Sequence, residues 1–327
     1  MLLRSGSLLL SVVFSVVAFE GGCTPVSAAV VVDAKNGKVV YSYNADQKTQ
    51  PASLAKMMTL LLAFRALQSG KISRDTMITV SPRAAAQRPS VLGLKVGEQI
   101  SVINAILALI VKSANDVAVA LAELVGKNEK LFVAMMNREA KRLGMKSTVF
   151  YNPSGWKDPR QMTTANDMAR LSRALLNEYP GYYHLFSNKQ FNIGDKCIRG
   201  HYALLGKRGD IVVDGIKTGF VNASGFNLVA SAVKGKRRLI AVVLGGKTVR
   251  ERDGIAYFLL KKGFEKAANS RLFSSVSRVE EKKSEKSQKI ASLLTENLKT
   301  PLAPPLIMLG IYNRIDKVTF KKKMENE

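Results

Sequence analysis

Cysteine and histidine are scarce in this chain of 327 residues, and their scarcity excludes several kinds of site. The sequence has two cysteines, Cys23 and Cys197, and two histidines, His184 and His201. These are too few for a structural zinc site or a disulfide framework. A Ser-His-Asp triad would depend on one of only two histidines, so a lysine is the expected base if a serine is activated.

Acidic residues are also few, at half the number of basic ones. The sequence has 25 Asp+Glu against 50 Lys+Arg, which gives a formal net charge of +25. Such an excess favours an anionic partner, such as nucleic acid, anionic lipid or an acidic polymer. Hydrophobic residues make up 46% of the chain and charged residues 23%, which excludes a wholly disordered chain and a polytopic membrane protein.

The N-terminal apolar run, residues 8–19, is shorter than the roughly 20 residues that span a bilayer. A basic start, a short apolar core and small residues up to Ala28 are typical of a secretory signal peptide. We predict a signal peptide over 1–28, cleaved after Ala28, rather than a buried helix. Cys23 is not the expected lipoprotein cysteine, because Glu20 stands where such a signal has an aliphatic residue. Export argues against nucleic acid and leaves membrane lipid and wall polymer as anionic partners.

The pattern after the signal predicts a mixed α/β domain. Two apolar runs flank Asn36-Gly37, which indicates a β-hairpin. The predicted helices cover about 53–67, 102–111, 117–125, 131–143, 164–176 and 254–264, and the predicted later strands cover 211–213, 228–233 and 239–244. This order favours a sheet that joins both ends of the domain and carries helices on its faces.

The composition changes near Ala267. Serine, lysine and glutamate dominate residues 274–288, and residues 268–327 hold 12 basic and 7 acidic residues. We therefore predict a folded domain over 29–267 and a basic, mostly disordered tail over 268–327. Because the tail carries a small part of the excess charge, the folded domain is itself basic.

A Ser-x-x-Lys motif, Ser53 to Lys56, stands at a predicted helix start. Positions three apart share a helix face, so the Lys56 amine is expected beside the Ser53 hydroxyl. Burial and nearby cations would lower the pKa of Lys56 until it could accept the serine proton. Backbone N–H groups at the helix start would then stabilise an oxyanion. Alone, this common motif is better explained by Ser53 as a simple helix N-cap.

Two further polar motifs are each weak by themselves. Ser113–Asn115 interrupts two apolar helices, where buried polar groups need partners, and a capping turn explains it as well. Lys217–Gly219 follows an apolar strand. An edge strand with a lysine and a hydroxyl can receive an extended peptide and its carboxylate, and glycine would let the substrate backbone approach closely. An ordinary exposed strand end is the simpler explanation.

Together the motifs are specific. Ser-x-x-Lys, Ser-x-Asn and Lys-Thr-Gly occur in the order used by penicillin-binding proteins and serine β-lactamases, separated by 60 and 104 residues. Over 29–267 the chain resembles the low-molecular-weight penicillin-binding proteins, the serine-type D-alanyl-D-alanine carboxypeptidases. Segments Leu94–Glu98, Ser113–Glu123, Asn152–Gly155 and Asp214–Phe220 extend the resemblance. It implies a β-lactamase/transpeptidase-like fold, a mixed sheet core with a helical region and the active site between them.

The resemblance also implies catalytic roles for matching residues. Ser53 would be the acylated nucleophile and Lys56 its base. Ser113 would relay protons between Lys56 and Lys217. The backbone N–H groups of Ser53 and Phe220 would form the oxyanion hole. Phe220 departs from the family pattern, which often has histidine or tyrosine there, so we expect altered specificity rather than lost competence.

The implied substrate-binding residues lie on all three motifs and beyond them. Asn115 would hold the peptide amide, and Lys217 with Thr218 would bind the terminal carboxylate. A later stretch resembles a family segment whose arginine also binds this carboxylate. By position that arginine is Arg252, with Arg250 as the alternative.

The resemblance implies an exported enzyme of the periplasm or cell envelope. It would remove the terminal D-alanine from peptidoglycan stem peptides through an acyl-enzyme on Ser53, which penicillin and other β-lactams would also acylate. No metal or organic cofactor is implied. Neither the family's C-terminal β-rich domain nor an amphipathic anchor helix is evident after Ala267, so only weak contact with anionic membrane or wall polymer is expected from the tail.

Two alternatives stay open. A β-lactamase uses the same motifs but hydrolyses its acyl-enzyme fast, often with a dedicated carboxylate. Asp158 and Asp167 lie in the corresponding region, although Asp167 falls in a helical pattern and is expected to be structural. A non-catalytic wall- or lipid-binding protein would depend on net charge instead. The intact Ser53, Lys56 and Lys217 argue against that alternative.

Overall fold

The computed structural model describes residues 26–156 and 158–266. Most of the predicted signal peptide and the whole predicted tail lie outside the described residues. The first strand begins at Ala28, which is buried and pairs with Leu244. Cleavage after Ala28 would therefore remove the first residue of this strand.

The regular elements follow in chain order. The strands are β1 (Ala28–Asp33), β2 (Val39–Tyr43), β3 (Met77–Thr79), β4 (Gln99–Ser101), β5 (Gln190–Ile193), β6 (Lys196–Arg199), β7 (Gly206–Arg208), β8 (Ile211–Val221), β9 (Gly225–Lys234) and β10 (Arg237–Gly246). The helices are α1 (Lys56–Gln68), α2 (Pro82–Ala85), α3 (Val102–Leu107), α4 (Asn115–Gly126), α5 (Glu129–Arg142), α6 (Ala165–Glu178), α7 (Pro180–Tyr183) and α8 (residues 249–266).

Six strands form one antiparallel sheet in the order β2-β1-β10-β9-β8-β7. The predicted hairpin is confirmed, because β1 and β2 pair around the turn that holds Gly37 at a φ of +75°. β1 also pairs with β10 along its whole length, from Ala28 opposite Leu244 to Asp33 opposite Leu239. The sheet thus joins the two ends of the domain, as the order of elements predicted.

Apolar layers cover both faces of the sheet. Alternate residues of β1 point to opposite faces, so Val30 joins the larger core with the helices α1, α4 and α6. Val31 joins the smaller core on the other face, with Leu260 and Phe264 of α8. Burying one such aliphatic side chain is worth about 1.5–3 kcal/mol, so the two layers together hold the sheet between them.

Helix α1 is apolar on nearly all sides and lies inside the larger core. Its residues from Lys56 to Phe64 are all buried. A helix that is apolar all round is expected at the centre of a domain rather than at its surface. This position takes Lys56, at the first turn, out of contact with water.

Polar caps start helices α5 and α6. The Asn128 side chain accepts a hydrogen bond from Leu131 N–H at α5, and Thr164 accepts one from Asp167 N–H at α6. Each cap satisfies a backbone N–H that has no partner within its own helix. Gly144, at a φ of +70°, follows the end of α5.

The two small sheets were not predicted. β3 pairs with β4 and β5 with β6, in strands of three or four residues. Strands this short carry no readable alternation of apolar and polar residues. Among the described residues, no helix combines the length and apolarity that a membrane crossing requires.

Candidate active site

Ser53 lies in a single 3-10 turn, Ala52–Ala55, that leads directly into α1. The residue that precedes this turn is Pro51, and the residue that precedes α1 is Ala55, without a side-chain cap at either place. The interpretation of Ser53 as an N-cap is therefore wrong. The half-buried Ser53 instead places its Oγ 3.0 Å from Lys56 Nζ, as the spacing of the motif predicted.

Lys56 is completely buried, and its amine has three neighbours. Besides Ser53, it contacts Asn115 Oδ1 at 2.6 Å and the backbone oxygen of Ser154 at 2.7 Å. The last two oxygens can only accept hydrogen bonds, whereas the Ser53 hydroxyl can also donate. A neutral amine with two N–H groups satisfies both carbonyls and keeps its lone pair for the Ser53 proton.

The electrostatics of the pocket favour this neutral amine. Burial is the main cause that holds the pKa of Lys56 well below its usual range, and the positive charge of Lys217 lowers it further. Asp116 acts in the opposite direction. The Asp116 carboxylate is itself engaged, since it accepts hydrogen bonds from the N–H groups of Leu92 and Gly93. Lys56 thus meets the electrostatic requirement for a general base near neutral pH.

Asn115 orients the lysine. Its Nδ2 donates to the backbone oxygen of Pro89 at 2.6 Å, which leaves Oδ1 facing Lys56. Asn115 is the first residue of α4 rather than its cap, which is Ala114. The role that the resemblance implies, a contact with the substrate amide, stays a prediction. The structure adds a second role, that of fixing the direction of the Lys56 amine.

Ser113 has a strained backbone at the break between two helices. A π-helical turn, Ala108–Lys112, ends at Ser113, whose φ of 61° lies in the left-handed region. For a residue with a Cβ this conformation costs about 1–3 kcal/mol and persists only where the surroundings impose it. The buried Ser113 Oγ has no hydrogen-bond partner among the described residues. The predicted relay to Lys56 and Lys217 is therefore not hydrogen-bonded in this arrangement.

The loop Asn152–Gly155 contributes to the site, although no role there was predicted for it. Asn152 Oδ1 accepts hydrogen bonds from the N–H groups of Ser154 and Gly155 and holds the loop in shape. This shape aims the Ser154 oxygen at Lys56 and the Pro153 oxygen at Thr59. Backbone carbonyls make these contacts, and every residue has one. The residue types in the loop therefore do not predict this role.

The Lys-Thr-Gly motif lies on β8, opposite the helix start. β7 pairs only with residues 211–213 of β8, so within the described residues the following half of the strand is an open edge, as predicted. Lys217 and Thr218 are nearly buried there. Burial and the charge of Arg252 lower the pKa of Lys217 to about 7. Its amine donates to the Thr218 backbone oxygen at 2.9 Å.

Gly219 lies close to the helix start. Its predicted role, to let a substrate backbone approach, stays a prediction. A methyl group at Gly219 would lie 3.2 Å from the Pro51 oxygen and 3.3 Å from Ser53 N. The glycine therefore lets β8 pack tightly against the serine-bearing turn.

Arg252, rather than Arg250, lies at the site. Arg252 is 2% exposed on α8, whereas Arg250 is exposed to solvent. Its Nη1 reaches towards the Asn227 oxygen at 3.5 Å, and its Nε donates to Asp253 at 2.9 Å. Its positive charge lowers the pKa of Lys217, and the carboxylate-binding role that the resemblance implies for Arg252 stays a prediction.

Phe220 extends an apolar surface beside the motif. It is 46% exposed, and its ring lies 4.3 Å from that of Phe226, measured between centroids. The two residues are directly opposite each other in the β8–β9 pair. The side chain therefore packs along the strand, while its backbone lies on the open edge, where the oxyanion-hole role is predicted.

Neither candidate carboxylate for fast deacylation is free. Asp158 forms a two-point ion pair with Arg160 and lies in an exposed turn. Asp167 accepts hydrogen bonds from Ser147 N–H and the Thr148 hydroxyl and pairs with Arg170, so it is structural, as expected. Both carboxylates are thus occupied in holding loops.

A groove of about 980 Å³ lies next to the loop Asn152–Gly155. Asn152 and Ser154 form one wall, and the Ser154 backbone oxygen also contacts Lys56. The rest of the lining carries both basic and acidic side chains, among them Arg88, Lys130, Glu129 and Asp158. The volume suits a short peptide chain.

Comparison with known proteins agrees with this geometry. A family model described as D-alanyl-D-alanine carboxypeptidase matches residues 24–248. The chain is 40% identical over 243 residues to D-alanyl-D-alanine carboxypeptidase DacC of Escherichia coli K12, which covers 72% of this chain and 60% of DacC. The chain spans 60–66% of the length of the three most similar curated relatives considered.

Solved structures with the same fold include penicillin-binding proteins. Penicillin binding protein 6B from Escherichia coli is 37% identical, with a TM-score of 0.69 over 74% of this chain and 78% of that protein. Penicillin-Binding Protein D2 from Listeria monocytogenes, solved with ampicillin bound, is 28% identical, with a TM-score of 0.66 over 75% of this chain and all of that one. The predicted fold class is thereby confirmed.

Proposed function

The chain belongs to the D-alanyl-D-alanine carboxypeptidase family, and on that premise we propose that it removes the terminal D-alanine from peptidoglycan stem peptides. It is then a serine-type hydrolase. The single observation that carries the proposal is the hydrogen-bonded group of Ser53, Lys56 and Asn115, with Lys217 on the facing strand. A nucleophile, a buried neutral base and a cationic carboxylate site occur together in one place.

Acylation follows from the contacts of Lys56. The neutral amine takes the Ser53 proton, and Oγ attacks the carbonyl carbon of the penultimate D-alanine. The backbone N–H groups of Ser53 and Phe220 stabilise the oxyanion. When the tetrahedral intermediate collapses, the peptide C–N bond breaks and the proton passes from Lys56 to the leaving amine of D-alanine. An ester on Ser53 remains.

Deacylation reverses the roles. A water molecule enters the space left by D-alanine and gives its proton to Lys56 as its oxygen attacks the ester. The Ser53–acyl bond breaks, the proton returns to Ser53 Oγ, and the shortened peptide leaves. Ser113, buried beside this path with an unpaired hydroxyl, is available as a proton relay once substrate or water fills the space.

The terminal carboxylate is bound by the cations beside the serine. Lys217, the Thr218 hydroxyl and Arg252 supply charge and hydrogen-bond donors, and binding a carboxylate there raises the protonated fraction of Lys217. Penicillins present a carboxylate next to a reactive amide, so β-lactams are expected to acylate Ser53. No β-lactamase activity is proposed, because Asp158 and Asp167 are held in other contacts.

We place the enzyme in the periplasm or cell envelope, after removal of the predicted N-terminal signal. There the net charge of +25 favours weak contact with anionic membrane lipid or wall polymer. The catalytic domain is proposed to cover 29–267. Nucleic acid is not an expected partner.

The test combines a labelled penicillin with a peptide ending in D-Ala-D-Ala. We expect Ser53→Ala to lose stable labelling and D-alanine release, at least a thousandfold, because the reacting oxygen is gone. Ser69→Ala, at the far and exposed end of α1, is the matched control and should behave as wild type. Wild-type release by Ser53→Ala would refute the assignment.

The wild-type enzyme itself separates the alternatives. Stable labelling by penicillin together with D-alanine release supports the carboxypeptidase. Rapid turnover of the penicillin would support the β-lactamase, and absence of any labelling would support the non-catalytic binding protein.

A further inference from the structure

His201 lies at the edge of the carboxylate site, although none of the three motifs includes it. It stands in the loop between β6 and β7, and its Nε2 is 3.3 Å from the hydroxyl oxygen of Thr218. One side of the ring is open to solvent. The other histidine, His184, lies on an exposed turn after α7 and has no such contact.

We propose that His201 is a positioning residue for the terminal carboxylate of the substrate, and this inference rests on the proposed function. Its Nε2–H donates a hydrogen bond to Thr218 Oγ1. Because that oxygen then accepts from His201, the Thr218 proton is turned away from the ring and towards the carboxylate. The Thr218 hydroxyl becomes a directed donor rather than a free rotor.

Three cations on different elements act electrostatically on the ring. They are Lys217 on β8, Arg252 on α8 and Lys112 in the π-helical turn. Partial burial and these charges lower the pKa of His201 below its usual value, so the free enzyme carries a neutral ring at neutral pH. The neutral ring keeps its Nδ1 as an acceptor while Nε2 donates.

A bound carboxylate changes this balance. Its negative charge offsets the three cations and favours a proton on Nδ1, so His201 takes up a proton more readily in the complex than in the free enzyme. Binding of the anionic substrate therefore tightens as pH falls, until protonation of Lys56 stops the reaction. An esterified substrate carries no such charge, so its binding does not tighten through His201 as pH falls.

Two variants separate the hydrogen bond from the titration. His201→Gln keeps an N–H donor of similar reach but cannot titrate, and His201→Ala loses both properties. His184→Gln is the matched control. KM and kcat are measured from pH 6 to pH 8.5 with a peptide ending in D-Ala-D-Ala and with its C-terminal methyl ester, and thermal melting checks each fold.

For His201→Ala we expect KM for the carboxylate peptide to rise about tenfold at pH 8, where a directed hydrogen bond to a charged group is lost, and roughly fiftyfold at pH 6, where the proton is missing as well, with kcat within about twofold. For His201→Gln we expect wild-type KM at pH 8 and a deficit of roughly fivefold at pH 6, where the missing proton would have acted. The ester should show neither change, and His184→Gln should match wild type.

The inference is overturned if His201→Gln follows the wild-type pH profile of KM, or if His201→Ala binds the carboxylate peptide as wild type does. Equal losses on ester and carboxylate peptide would also overturn it, because they point to a general structural effect. Failure of the proposed function has a different signature, since wild type would then neither release D-alanine nor be labelled by penicillin.

Discussion

Lys56 and Lys217 divide two tasks that one lysine could not perform together. The base must be neutral, while the carboxylate site must be cationic. Burial lowers the pKa of both, and the charge of Lys217 lowers that of Lys56 further. On the proposed function, a protonated Lys217 binds the substrate carboxylate, and its positive charge also favours a neutral Lys56.

We expect Lys217→Ala to weaken a carboxylate peptide more than its ester. A charge-assisted hydrogen bond is worth about 1.5–3 kcal/mol, so kcat/KM for the carboxylate peptide should fall about 10- to 100-fold more than for the ester. Steady-state kinetics on the two substrates measures this ratio, and Lys38→Ala in the exposed first hairpin serves as control. Equal losses of kcat/KM on the two substrates would assign Lys217 to proton relay rather than to recognition of the carboxylate.

The low pKa of Lys217 also predicts a pH-dependent stability. This pKa is about 7 in the folded chain, against about 10.4 in an unfolded one. Between these values the unfolded chain binds more protons, so the free energy of unfolding rises with pH, by up to about 1.4 kcal/mol per unit. The contribution is complete above the unfolded pKa and is lost as pH falls to about 7.

Urea unfolding at pH 7, 8 and 9 should therefore show a smaller rise for Lys217→Met than for wild type. The difference between the two curves reports Lys217 together with its effect on the pKa of Lys56 and His201. Parallel curves would mean that Lys217 keeps an ordinary pKa in the folded chain.

At the scale of elements, the site is the meeting of the serine-bearing turn, the loop Asn152–Gly155 and strand β8. The turn is held from both sides at distances that leave no room for a side chain. Gly155 has a φ of +82°, and a methyl group there would lie 1.8 Å from the Ala52 oxygen. Gly219 makes a similar approach from the strand.

We expect Gly155→Ala to displace the turn and so misalign Ser53 with Lys56. Penicillin acylation should slow at least tenfold, and the melting temperature should fall, because the left-handed backbone alone costs about 1–2 kcal/mol with a Cβ. Gly254→Ala in α8 is the control. Nothing lies within 4 Å of its added methyl, and a helical alanine should stabilise by about 0.5–1 kcal/mol.

If Gly155→Ala acylates at the wild-type rate, the loop is not what positions the turn. Its contact with Lys56 through Ser154 would then be incidental. The control shows whether any loss reflects alanine itself or the crowded position.

The sequence predicts those elements whose signal is local. The hairpin at Gly37 depends on a turn dipeptide, so it was predicted. The Ser53–Lys56 contact follows from helix geometry in the same way. The Ser154 carbonyl and the His201 ring reach the site only through tertiary packing, and no pattern of residue types encodes them.

At the scale of the whole molecule, truncation tests two predictions: the end of the folded domain at Ala267 and the role of the basic tail. Residues 268–327 carry 12 basic and 7 acidic residues and none of the motif residues. We expect a chain that ends at Ala267 to stay folded and to release D-alanine from soluble peptide at about the wild-type rate. Loss of that activity would mean that the domain boundary is wrong.

The same truncated chain tests attachment to lipid. Each basic residue near an anionic surface contributes about 1 kcal/mol at most, and salt screens the attraction. Co-sedimentation with anionic vesicles should fall on truncation and on raising the salt, yet persist in part, because the folded domain is basic too. Identical binding by the two chains would exclude the tail as an anchor.

The antiparallel pairing of β1 with β10 sets an order of assembly. β1 is ready after some 33 residues, but its partner ends at Gly246, so its strand edge stays open until nearly the whole domain has been made. Such distant pairing is slow to form. A ribosome or a translocation channel delivers the chain N-terminus first. A partly delivered chain therefore lacks β10 and cannot complete the sheet. On the proposed function, we expect Ser53, Lys56 and Lys217 to become active in one late step, when the final strand closes the sheet.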